Sequence, residues 1–356
     1  MKMSKVFVTL ISTALLLVAA NAFALTGACV SCHTMHNSQN GAAMTFDGSA
    51  TPNSTLLRAG TCGGCHADAT VNTGGNGIGN LAIPQVDATT IATMPAGGSF
   101  NWVKTMDSTG HNVSDLGIAV DVALNEQPPG FDETINTDIN GGVNAWSTQL
   151  TCAGTNGCHG DHTTGDVFNA VKGAHHDNAG GNLTTATTVG NSYRFLLGIK
   201  GGEDDDWEQT VSATDHNVYY GAARTTTTPN PTDTISSLCA QCHGKFHSGV
   251  DIGGGNMSSP WVRHPTDINM VAVGGEYAAY VYNVEAPVAL STLPAAVNDA
   301  TSYASEKIVT CVSCHRAHGS DQPDLLRWDY GVMNAGTVTA AAGTGCFRCH
   351  TTKDGI

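Results

Sequence analysis

The sequence predicts a chain of loops and short helices with little regular secondary structure, and three observations predict it. All twelve cysteines fall into local pairs, at 29/32, 62/65, 152/158, 239/242, 311/314 and 346/349. In every pair the second cysteine is followed at once by histidine. Glycine reaches 42 of 356 residues while aromatics stand at 6% and charged residues at 13%, and the long apolar stripes that build helical cores are missing.

The cysteine–histidine pattern explains the rest. With 15 histidines in 356 residues, six such successes out of six by chance are on the order of one in 10⁸, and C-x-x-C-H is the attachment signature of haem c. Two thioether bonds tie the cysteine sulfurs to one porphyrin edge, and the next imidazole reaches the iron as proximal ligand. The covalent sites are Cys29 and Cys32, Cys62 and Cys65, Cys152 and Cys158, Cys239 and Cys242, Cys311 and Cys314, and Cys346 and Cys349. The proximal ligands are His33, His66, His159, His243, His315 and His350. The fold class is therefore a multihaem cytochrome c, wrapped around a row of six covalent haems c that stand in for a side-chain core. A disulfide scaffold, zinc ribbons or thioredoxin-like pairs would use the cysteines, but none of them predicts the histidines.

One motif departs from the standard gap. Cys152-Ala-Gly-Thr-Asn-Gly-Cys158-His159 has five residues between its cysteines, and its two glycines and Asn156 suit a looped-out insertion.

Nine histidines remain as second axial ligands: His36, His111, His162, His175, His176, His216, His247, His264 and His318. Bis-His ligation of six irons needs six of them. The pattern H-x-x-H recurs as His33 with His36, His159 with His162 and His315 with His318, and more loosely as His243 with His247. Residues three apart on a helical turn share a face, so the two imidazoles cannot sit on opposite sides of one ring. Each such pair serves two irons, which draws neighbouring haems together.

The termini and charge bound the setting. Lys2 and Lys5 precede an apolar run from Val6 to Ala20, and Ala22-Phe23-Ala24 offers a cleavage site, so residues 1–24 read as an export signal and 25–356 as a single hexahaem domain. Loss of the signal leaves the exported chain at −17, which argues against nucleic acid as a partner. Spacers such as 69–98, 121–146, 179–191 and 222–233 are rich in Gly, Thr, Asn and Pro and read as loops. Glu203-Asp-Asp-Asp206 reads as a solvated acidic turn, with calcium binding as the second reading.

Beyond the motifs, the residues resemble a known family: the outer-surface hexahaem cytochromes of metal-reducing bacteria that polymerise into filaments, the OmcS-type cytochrome nanowires. The matching pieces, in colinear order, are CHTMHN at 32–37, MPAGGSFNWVK at 94–104, GHN at 110–112, CHGDH at 158–162, YRFLLG at 193–198, CAQCHGKFH at 239–247, RHP at 263–265, CVSCHRAHGS at 311–320 and CFRCH at 346–350. The resemblance implies stacked bis-His haems with distal ligands His36, His111, His162, His247, His264 and His318. It also implies that His36 ligates a haem of the neighbouring subunit, the one tethered at Cys311 and Cys314 over His315. A contact of that kind does not close on itself and generates an open polymer. The gap at Cys152, the Gly173–Asp177 segment, the EDDDW stretch and Asp215–Val218 depart from the family pattern. His216-Asn-Val echoes His111-Asn-Val, so His216 is the first substitute ligand and His176 the second.

On this reading the chain is an electron conduit rather than an enzyme. Its partners are further copies of itself, other cytochromes and extracellular acceptors such as metal oxides, and it is secreted to the outer cell surface. The alternatives are a monomeric periplasmic carrier and an oxyanion reductase, the latter disfavoured by the absence of a C-x-x-C-K motif and the supply of imidazoles.

Overall fold

The computed structural model describes residues 28–67, 83–90, 94–131, 147–177, 180–224, 232–247, 264–295, 303–336 and 341–353; the expected export signal lies outside them. Among these residues the longest helix, Ile235–Ala240, has six residues. None is long and apolar enough to cross a membrane.

The helical segments are single turns placed where the sequence needs them. They are α1 (Cys29–Cys32), α2 (Gly63–His66), α3 (Val167–Ala170), α4 (Ala174–Asp177), α5 (Ile235–Ala240), α6 (Gly244–His247) and α7 (Met270–Val273). Isolated turns of this length do not persist in water on propensity alone, so caps and tertiary contacts must hold them. Thr234 caps α5, its hydroxyl accepting the Ser237 N–H at 3.2 Å while the Ser237 hydroxyl answers the Thr234 N–H at 3.1 Å. Thr310 and Ser313 form the same reciprocal cap ahead of the 3₁₀ turn Cys311–Ser313.

The strands are equally short. β1 (Thr151–Ala153) and β2 (Gly157–His159) pair in parallel; β3 (Asn182–Leu183), β4 (Gly201–Gly202) and β5 (Val218–Tyr219) form an antiparallel sheet; β6 (Ile268–Asn269) and β7 (Ile308–Val309) form a third pair. Two adjoining apolar clusters lie around the second and third sheets. One joins Tyr193, Leu196, Ile199 and Tyr219 to Ile235, Ile308 and Val312, and the other joins Val218 and Val288 to Tyr280, Tyr282 and Tyr303. They are local knots between attachment segments.

The acidic turn differs from its expected form. Asp205 is exposed, but Glu203 and Asp204 are buried, as is Glu208 just beyond. The physical reason is Arg194: its backbone N–H donates to Glu203 Oε1 at 2.6 Å, and its guanidinium donates to the Asp204 carbonyl at 2.7 Å and to Asn217 Oδ1 at 2.6 Å.

Candidate haem sites

In five of the six motifs the backbone makes the same turn. The histidine N–H donates to the carbonyl of the first cysteine four residues back: His33 to Cys29 at 2.8 Å, His66 to Cys62 at 3.0 Å, His243 to Cys239 at 2.9 Å, His315 to Cys311 at 3.0 Å and His350 to Cys346 at 3.1 Å. One helical turn therefore presents both sulfurs and sends the following imidazole onward. The structure places no disulfide on any of the twelve cysteines. Burial pushes the Cys242 and Cys314 thiols up to about 12.

The sixth motif reaches the same end by another route. Parallel pairing of β1 with β2 sets Thr151 opposite Gly157 and Ala153 opposite His159, so Cys152 and Cys158 stand side by side across the ladder. The intervening residues are looped out. Gly154 makes this turn at φ +83°, and a Cβ there would stand 2.6 Å from the Thr164 carbonyl oxygen.

Second imidazoles face five of the motif histidines at a nearly constant spacing. Ring centroids are 6.3 Å apart for His33 and His176, 6.2 Å for His66 and His175, 6.3 Å for His159 and His318, 6.2 Å for His243 and His111, and 6.2 Å for His350 and His264. The tightest ring stacks are closer, His216 lying 4.0 Å from Tyr282 and Phe100 4.7 Å from His318, while Phe246 stacks on His243 at 6.1 Å. Metal–imidazole bonds of about 2.0–2.1 Å, with about 1.1 Å from each nitrogen to its ring centre, would put two imidazoles on opposite sides of one metal about 6.2–6.4 Å apart. Interplanar angles run from 21° to 85°, as expected when each ring is free to turn about its bond to a metal between them. The residues fit a bis-imidazole iron.

The outer nitrogens agree with that fit. Nδ1 lies against a backbone carbonyl in His33 (Thr55, 3.3 Å), His66 (Pro84, 3.0 Å), His159 (Arg194, 2.9 Å), His243 (Pro129, 2.6 Å) and His315 (Asp324, 2.7 Å). The same holds for His111 (Ala317, 2.7 Å) and His264 (Pro265, 2.9 Å). A donor on Nδ1 leaves the Nε2 lone pair for a metal and fixes the ring's orientation. Burial, aided by the nearest partner imidazole, pulls His318 down to about 3 and His175 and His243 to about 4, so these rings stay neutral and able to ligate.

Of the six histidines expected as distal ligands, His111, His264 and His318 each face a motif histidine. Two do not, among the described residues. His162 turns back on its own motif, its Nε2 3.1 Å from the Cys158 carbonyl. His247 is buried with its Nε2 hydrogen-bonded to the Asp267 carboxylate, which Arg224 also approaches at 3.2 Å. The first substitute, His216, is likewise turned elsewhere, stacked on Tyr282 with Nδ1 2.7 Å from the Asn217 carbonyl. The second substitute, His176, faces His33, and His175 takes the place opposite His66. The signal for this was the His175-His176 doublet: adjacent residues on the turn of α4 point about 100° apart and so reach two sites. His36 and His315 are both exposed, and no imidazole of the described residues faces His315 across such a gap.

Neighbouring attachment sites also touch. The Cys62 and Cys152 sulfurs lie within 4.8 Å of each other, with a carboxylate oxygen of Asp115 beside them. The thiols of Cys239 and Cys311 likewise lie in hydrogen-bonding range.

Repeated thioether motifs on a scaffold of loops and single turns, closed by paired imidazoles, define a multihaem cytochrome c. Residues 304–355 match the family described as the doubled CXXCH motif. The chain resembles the C-type cytochrome OmcS of Geobacter sulfurreducens, with 27% identity over 407 aligned positions covering 91% of this chain and 85% of that protein. Among solved structures it is similar to the OmcS nanowires of Geobacter sulfurreducens seen by cryo-EM (19% identity, TM-score 0.46, 93% of this chain and 90% of that one). It is also similar to the Outer Membrane Cytochrome S filament of the same organism (20% identity, TM-score 0.39, 90% and 88% covered).

Proposed function

We propose that residues 25–356 form one domain carrying six haems c and moving electrons along them, assembled head to tail as a filament outside the cell. Five haems are held between the imidazole pairs 33/176, 66/175, 159/318, 243/111 and 350/264, and the remaining one, tethered at Cys311 and Cys314, lies over His315. Its second ligand is His36 of the next copy. The observation that carries this reading is the arithmetic of the imidazoles: five motif histidines are matched within the chain at one spacing, while the sixth and the exposed His36 are left at the surface.

The row follows sequence order. The first and second sites share the His175-His176 doublet, the second and third share the Cys62/Cys152 contact, and the fourth and fifth share the Cys239/Cys311 contact. Cys158 stands within electrostatic reach of Cys242, and Cys346 and Cys349 within reach of Cys314, which joins third to fourth and fifth to sixth. When bound, haem iron supplies reversible one-electron chemistry. The protein's part is to fix each imidazole, shield it from water and leave no open position within the row, which disfavours oxyanion reduction.

The filament and the surface location rest on likeness to OmcS, and delivery to other cytochromes or metal oxides is part of the proposal. The test is a pyridine haemochrome count with electron microscopy of the secreted protein and of His36→Ala. Six haems per chain and filaments lost in the variant are expected; filaments of normal length from His36→Ala would overturn the shared ligand, and a count far below six would overturn the row.

A further inference from the structure

One carboxylate stands at the contact between the second and third attachment sites. Asp115 belongs to the 3₁₀ turn Ser114–Leu116, and one of its carboxylate oxygens lies within 4.8 Å of both the Cys62 and the Cys152 sulfur. The turn is fixed against both motifs. A Cβ on Gly63, inside the second motif, would stand 2.7 Å from the Asp115 carbonyl oxygen, so bare backbone is what lets the two segments meet. Toward the third motif, the Ser114 N–H donates to the Leu150 carbonyl at 2.8 Å and Asp115 Oδ2 accepts the Cys152 N–H at 2.7 Å. Asp115 is half-buried, and among the described residues no lysine or arginine forms an ion pair with it.

The first, third and fifth sites share a different device. His33, His159 and His315 turn Nδ1 to the carbonyls of Thr55, Arg194 and Asp324. Each of those residues and the one after it is left-handed, at φ +56° and +58°, +49° and +62°, and +57° and +59°. Three residues past each carbonyl the chain carries Arg58, Leu197 and Arg327. The two arginines are held alike. The Arg58 N–H donates to the Cys32 carbonyl at 2.8 Å and its Nη1 to the Val30 carbonyl at 3.2 Å. The Arg327 N–H donates to the Cys314 carbonyl at 2.9 Å and its Nε to the Val312 carbonyl at 2.7 Å. Val30 and Val312 each follow the first cysteine of their motif, so two sites anchor a guanidinium inside the attachment turn, where the third site has leucine.

Resting on the reading of one haem per motif, we propose that Asp115 lowers the reduction potentials of the second and third haems, while Arg58 and Arg327 raise those of the first and fifth. A ferric haem carries one positive charge more than a ferrous one, so a fixed anion favours the oxidised form and a fixed cation the reduced form. The thioether bonds start at the sulfurs beside Asp115, which brings both porphyrin edges into its field. A unit charge acting over about 10 Å at an effective dielectric of about 20 shifts an equilibrium about tenfold, or about 59 mV for a one-electron couple. Electrons then rest at the first and fifth sites rather than between them. Those two sites flank the junction that His36 and His315 make in the proposed filament, so charge waiting to cross between copies collects on either side of it.

The haem-loaded full chain is titrated anaerobically between oxidant and reductant, with optical reading of the ferrous haem band and a haemochrome count of each variant. Asp115→Asn keeps an acceptor for the Cys152 N–H and removes the charge. About one third of the absorbance change, two haems in six motifs, should move to higher potential by about 59 mV, with the rest unmoved. Arg58→Gln and Arg327→Gln should each move about one sixth the other way. Asp115→Glu, which keeps the charge, should follow the wild-type curve. Should Asp115→Asn load fewer haems, Asp115→Glu and Asp115→Gln make the same comparison at equal side-chain length. Coincident curves for the charged and neutral side chains, or a shift spread evenly over every haem, would overturn the assignment. A wild-type count far below six would instead overturn the hexahaem reading on which it rests.

Discussion

Replacing His175 with alanine separates the proposed ligand set from the one the family resemblance implies. His175 faces His66 across 6.2 Å, and His176, next along the chain, is committed to His33 at 6.3 Å. Phe195, 5.3 Å from His175, carries no donor atom with which to take over the vacated place. One iron in six motifs should lose its second imidazole, so about one sixth of the low-spin haem absorption should convert to high-spin and one carbon monoxide should bind per chain. The double variant His175→Ala/His176→Ala should double both readings. His162→Ala, by contrast, should leave the spectrum unchanged, since that ring is turned back on Cys158. The assay is the optical spectrum of the reduced protein with and without carbon monoxide. A high-spin fraction from His162→Ala and none from His175→Ala would refute the pairing by distance.

Three further outcomes concern the scaffold. Gly154→Ala places a Cβ at φ +83° against the Thr164 carbonyl, so a loss of about 1–3 kcal/mol is expected in urea unfolding, with fewer haems attached at the Cys152/Cys158 site by mass spectrometry. Asp267→Ala removes the carboxylate beside the buried Arg224 guanidinium and should cost about 3–5 kcal/mol by the same unfolding measurement, even though His247 ligates no iron in the proposed scheme. Thr234→Ala removes the cap on α5 and should cost about 1–2 kcal/mol, whereas Thr234→Ser, which keeps the hydroxyl, should cost little.

What the sequence shows and what it hides divide along one physical line. The candidate attachment motifs are legible because thioether chemistry is local: two sulfurs and an imidazole must lie close together, so their spacing is written in nearby letters. Second ligands, on the proposed scheme, are chosen through space. His111 meets His243 and His318 meets His159 only after the loops between them close, and no local spacing records it. At His247 and His216 a buried Asp267 and a stacked Tyr282 engage the rings instead. The EDDDW stretch misled for a related reason, since charge composition reads as solvation until Arg194 draws Glu203 and Asp204 inside. The loop-and-turn character was legible because glycine-rich spacers and missing apolar stripes leave few ways to build longer elements.

The side-by-side strands of the third attachment site carry a lesson about how such proteins diverge. A porphyrin edge senses the separation of two sulfurs across a ladder and is indifferent to how many residues the chain spends between them. Insertions can therefore accumulate inside an attachment loop without loss of the tether, and relatives in which a pattern search tallies five cofactors can carry six.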